Sequence, residues 1–144
     1  PEACPTGLRI DRATRVERGF EGQARPMGTE PAEMEASMRD AASRGRVFGA
    51  YAQPWGWYAE RFAPESFVLV VDVAGPPEEP WLPARIPARP WLRVPWEGGP
   101  YEVAPAILWL HERGAAEGGM RVGFAPTVTL FAPHGLDVWL PLRR

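Results

Sequence analysis

The sequence contains no lysine: all 16 basic residues of the 144 are arginine, and 18 acidic residues leave a net charge of -2. GC-rich coding is the plain reading of the arginine bias. The charge balance gives no footprint for nucleic acid, which needs clustered cations to neutralise phosphates. A single cysteine, Cys4, excludes an internal disulfide framework and fits a reducing, cytoplasmic compartment. No apolar run approaches the roughly 18 residues of a membrane-spanning helix, so no membrane role is expected. The opening Pro1-Glu2-Ala3-Cys4-Pro5 has no apolar signal core. It also lacks an initiator Met, which fits a trimmed or excised chain and leaves open a DNA-binding domain in a longer parent.

Chemical motifs are equally sparse. His111 and His134 stand far apart and no Cys/His cluster has ligand spacing, so neither a metal nor another cofactor is expected. Ser37, Ser43 and Ser66 have no nucleophile-elbow context. Gly98-Gly99-Pro100 is no phosphate loop, because Pro100 removes a needed N–H donor.

What is present is a domain-sized chain rich in turn formers, with 18 Pro and 15 Gly, yet 45% apolar. That balance favours a folded domain with sharp turns over disorder. A single domain of this length buries about 70% of its unfolded surface and needs no staples. Seven tryptophans supply large, flat, amphipathic surface suited to cores and to pockets.

Residues 8–20 alternate loosely and read as a strand. Thr29 reads as an N-cap, with Pro31 in the first turn of a helix. Met34, Met38 and Ala41 or Ala42 follow at helical spacing, Glu35 and Arg39 form an i,i+4 pair, and Gly45 is the stop. Strands follow at 47–53 and 67–73, joined through the aromatic turn Pro54-Trp55-Gly56-Trp57-Tyr58. Gly75 to Pro80 is a stiff linker. The order then repeats: a strand at 91–96, a helix with Pro105 in its first turn and Ile107, Leu110 and Gly114 on one face, and a hairpin of 122–131 with 136–142. The expected architecture is therefore α+β. One domain, 1–144, holds two β-α-β-β halves (about 8–74 and 81–144, linker 75–80) related by a pseudo-two-fold axis. They form one antiparallel sheet with both helices on one face and a ligand groove on the other.

The segment from Ile86-Pro87-Ala88 through Trp91-Leu92-Arg93-Val94-Pro95-Trp96 to Gly99-Pro100-Tyr101-Glu102 resembles the second-half signature of GyrI-like small-molecule-binding domains. Leu136-Asp137-Val138-Trp139-Leu140-Pro141-Leu142 is similar to the family's closing strand, and Phe48-Gly49-Ala50-Tyr51 to its first-half strand. The resemblance implies a seam between the halves that takes amphipathic or aromatic molecules. It also implies use as the effector-binding domain of multidrug-sensing and AraC-type transcription regulators. Some relatives bind other proteins, DNA gyrase among them, and some hydrolyse strained cyclopropane toxins with a glutamate and a tyrosine. Cation-sensing relatives carry a buried Glu on the penultimate strand, where the alignment puts Thr129. A buried carboxylate is costly without a cation partner, so its absence implies a ligand without strong positive charge.

The expected ligand-binding residues are Tyr51, Trp55, Trp57, Trp91, Tyr101, Thr129, Asp137 and Trp139. Asp137 accepts a ligand hydrogen bond, or simply faces solvent. Tyr101 caps the groove, or packs at the helix start. Trp91 and Trp139 line the seam, or the core. The expected function is a sensor or sequestering module for a small hydrophobic or aromatic ligand. The alternatives are a hydrolase in which Asp137 activates water and Tyr101 assists the leaving group, and a module with a protein partner. The discriminating observation is whether the groove is open or filled by its own tryptophans.

Overall fold

The structure, a computed structural model, describes residues 3–52, 66–73 and 75–144, with the side chain of Tyr101 excepted. Trp55 and Trp57 lie outside the described residues. A short 3-10 turn, Ile10–Arg12, leads into β1 (Thr14–Pro26), α1 (Pro31–Arg44), β2 (Phe48–Ala52) and β3 (Ser66–Val71). Then come β4 (Leu82–Trp96), a 3-10 turn at Pro100–Glu102 and α2 (Val103–Trp109). α2 runs on through a π-helical turn, Leu110–Gly114, and a last helical turn, Ala115–Glu117. The chain ends with β5 (Thr127–Ala132) and β6 (Gly135–Pro141). Among the described residues no helix is long and apolar enough to cross a membrane.

The strands are antiparallel and close into a six-stranded barrel in the order β1-β3-β2-β5-β6-β4. The closure is the β1–β4 ribbon, which pairs from Thr14↔Arg93 to Ala24↔Leu82 with a register shift between Arg18 and Phe20. This corrects the open sheet expected from the sequence. β4 has 15 residues rather than the six of 91–96, and its prolines had disguised the alternation of a long strand. β1 likewise starts at Thr14 rather than Leu8, the residues before it forming the 3-10 turn.

Register assigns the two faces. Ala50 pairs with Val68 and with Thr129; Thr129 pairs with Val138, and Val138 with Val94. Cross-strand partners share a face. On that face Met34, Met38 and Ala41 of α1 pack on Ala50, Val68 and Val70. Val103, Ala106, Ile107 and Leu110 pack with Val94 and Val138. Both helices therefore lie on the outer surface of the barrel.

The opposite face gathers residues from all six strands: Phe20, Tyr51, Leu69, Ile86, Trp91, Val128, Leu130 and Trp139. Side chains from every strand meet in one cluster only inside a closed barrel. The helix-free face is thus the barrel interior, where an open groove had been expected. Phe20, Trp91 and Trp139 fill it edge to face, with centroids 5.1, 5.2 and 6.4 Å apart.

α1 is set by its termini. Pro31 opens it behind Glu30, which replaces the expected Thr29 as N-cap and makes no side-chain capping bond. At the other end the Gly45 N–H donates to Ala41 O at 3.3 Å. The Ser37 hydroxyl donates to Met27 O at 3.0 Å and ties the helix to the end of β1.

Candidate functional site

The helix-bearing face holds a cleft of about 230 Å3 where α1 fails to cover the barrel completely. α1 supplies Met34 and Met38, with Met27 from the turn before it; β2 supplies Phe48 and Ala50; β5 and β6 supply Thr129, Phe131 and Leu136. Pro100, from the turn before α2, closes one side, and Glu35 and Arg39 stand at the mouth. The floor is the β2–β5 seam, where backbones approach closely. A Cβ on Gly49 would strike the Thr129 carbonyl, so glycine there lets the strands meet directly beneath the cleft. Phe48 and Phe131 face each other across the seam at 5.1 Å between centroids.

This wall suits an apolar guest. Unbranched methionines repack around different shapes, and the two phenylalanines offer flat surface. Thr129 is the polar exception in the floor, 4% exposed. Its hydroxyl donates to Ala50 O at 3.3 Å. At the rim the Arg39 guanidinium donates to Glu35 at 3.0 Å, and both side chains are more than half exposed.

The residues expected to bind ligand do not converge. Thr129 lines the cleft. Trp91 and Trp139 lie in the barrel interior, buried at 0% and 5% exposure, and Trp91 Nε1 donates to Arg18 O at 2.8 Å. Tyr51 sits on the interior face, stacked on Phe67 at 5.3 Å, and burial pushes its phenol pKa up. Asp137 has the same facing as Trp139, two residues along β6. Its Oδ2 accepts from His134 Nε2 at 3.0 Å and from Arg93 Nε at 3.2 Å, while Oδ1 is buried without a partner. The backbone of Tyr101 is in the turn whose Pro100 borders the cleft. The two strand tryptophans and the floor of the cleft are therefore on opposite faces of one barrel wall.

Met27, Met34, Met38, Phe48, Phe131 and Leu136 were not expected as site residues. Met34 and Met38 were legible as an apolar helix face, and that pattern does not distinguish a core contact from a cleft wall. A half-buried polar contact, His111 Nε2 to Thr127 Oγ1 at 2.7 Å, joins the π-turn to β5; loss of hydration pushes the His111 pKa down. Among the described residues no three His, Cys, Asp or Glu side chains are grouped to hold a metal ion.

The fold and cleft define an α+β barrel with an apolar cleft under a helix. No protein-family model and no curated protein matches the chain. Among solved structures it is similar to an integron cassette protein from the mobile metagenome of Vibrio cholerae. The TM-score is 0.57 at 11% identity, covering 94% of this chain and 99% of that one. At that identity the likeness shows the fold alone.

Proposed function

We propose that this chain binds a small, largely apolar organic molecule in the cleft between α1 and the β2–β5 seam, acting as a sensor or sequestering module. The observation that carries the reading is a preformed 230 Å3 cleft walled by methionine and phenylalanine, the composition expected of a small-molecule site. Burying about 200 Å2 of apolar ligand surface yields roughly 5 kcal/mol gross, before ordering costs. Affinity in the range of roughly 0.1 mM to millimolar is the expectation.

The proposal includes a GyrI-like relationship with an internal two-fold repeat. The sheet order supports it, since β1-β3-β2 and β4-β6-β5 have the same arrangement and meet at β2 and β5. The pairing of Ala50 with Thr129, residues the sequence offset makes equivalent, is the arrangement such an axis requires. A thermal-shift screen of flat aromatic compounds tests the function, because a ligand that binds only the folded state raises stability as RT ln(1 + [L]/Kd). Met34→Trp, which fills the cleft, is expected to abolish the shifts.

A second reading, a protein-interaction module, is favoured by the barrel interior being filled by Phe20, Trp91 and Trp139. It predicts that no small molecule in the screen stabilises the protein.

A further inference from the structure

We infer that the cleft selects a neutral aromatic molecule of about two fused rings carrying one N–H or O–H donor, and that Thr129 reads that donor. This rests on the cleft being the ligand site.

Size comes first. A cavity of about 150 Å3 holds one benzene. The cleft, about 230 Å3, is half as large again, which suits a fused bicycle. A three- or four-ring molecule needs α1 to move.

Charge comes next. Among the described residues the cleft's ionic groups are Glu35 and Arg39, which pair with each other at the solvent-exposed rim. Exposed pairs of this kind leave little net field for a guest. Among the described residues the floor holds Thr129 and no carboxylate. A permanent cation seated there would lose its hydration without gaining a counter-charge.

The hydroxyl settles the remaining polarity. A threonine hydroxyl has one proton to give and two lone pairs to accept with. The Thr129 proton is directed at Ala50 O. What Oγ1 has left is acceptor capacity, in a side chain that lines the cleft and is nearly closed to water. Its complement is a donor on the guest.

The test compares three probes of near-equal size by calorimetry and thermal shift: indole (a donor), benzofuran (the same shape without one) and N-methylquinolinium (a permanent cation). On the wild-type protein indole is expected to bind about five-fold more tightly than benzofuran, the effect of one neutral hydrogen bond. N-methylquinolinium is expected to bind most weakly. Thr129→Val should bring the indole-to-benzofuran ratio close to one through loss of indole affinity, and Thr129→Ser should keep the preference. If Thr129→Val does not fold, the wild-type ratio and Thr129→Ser carry the test. Equal binding of indole and benzofuran by the wild type overturns the inference while leaving the cleft as the ligand site. An unchanged ratio in folded Thr129→Val, loss of the preference in Thr129→Ser, or tightest binding of the cation does the same. No binding by any of the three overturns the reading of the cleft, and this inference with it.

Discussion

His111 is a half-buried imidazole whose pKa is pushed below its ordinary 6.5 by loss of hydration. The folded state therefore favours the neutral ring, and below that ordinary pKa the unfolded chain binds more protons. Stability is fully present above about pH 7 and falls as the pH drops through the ordinary histidine range. Urea unfolding across pH 5–8 is expected to show a steeper acid loss for the wild type than for His111→Gln. Identical slopes would mean that loss of hydration does not hold the ring neutral. Trp139 makes a different demand. Because its ring packs against Phe20 and Trp91 inside the barrel, Trp139→Ala is expected to cost about 3–5 kcal/mol of stability without acting on the cleft directly. A folded Trp139→Ala protein of wild-type stability that no longer binds would place the ligand in the interior instead. At Thr129, introducing a carboxylate should reverse the charge preference. Thr129→Glu is expected to raise affinity for N-methylquinolinium and lower it for benzofuran, the gain shrinking as pH falls through the new carboxylate's pKa. Unchanged relative affinity would mean that residue 129 does not face the guest.

At the scale of the element, α1 matters most, because it roofs the cleft. Asp40 anchors it: one carboxylate oxygen accepts from Arg25 at 2.8 Å and from Trp81 Nε1 at 3.0 Å, tying the helix to β1 and to the approach to β4. Asp40→Ala is expected to lower stability by about 1–2 kcal/mol, less than a fully buried charged pair because Asp40 is partly exposed. Unchanged urea midpoints would mean that packing by Met34, Met38 and Ala41 alone seats the helix. Much of this element was legible in the sequence. Pro31 and Gly45 delimit it, and the methionine spacing gives its buried face. β2, β3 and β6 were legible for a similar reason, each being a short apolar run bounded by turn residues. β1 and β4 were not. Their arginines and prolines hide a period of two, and their length comes from pairing with each other, a tertiary effect that overrides local preference.

At the scale of the whole molecule, barrel closure decides where a ligand goes. With an open sheet, Trp91 and Trp139 would have lined a groove. Once β1 and β4 join, the same alternation points them into a filled interior, and the apolar cleft lies on the outer face, between α1 and the seam. Long-range pairing of this kind leaves no local signature, which is why the sequence placed Thr129 and Trp139 in one site when they belong to opposite faces. The central claim is therefore a claim about a face. The chain has four methionines: Met27, Met34 and Met38 line the cleft, while Met120 packs beside the α2 cluster. Methyl-labelled methionine spectra recorded during an indole titration test the claim directly. The prediction is that the Met27, Met34 and Met38 methyl signals move together with one dissociation constant while Met120 stays in place. Saturable binding that leaves those three signals unmoved would contradict it.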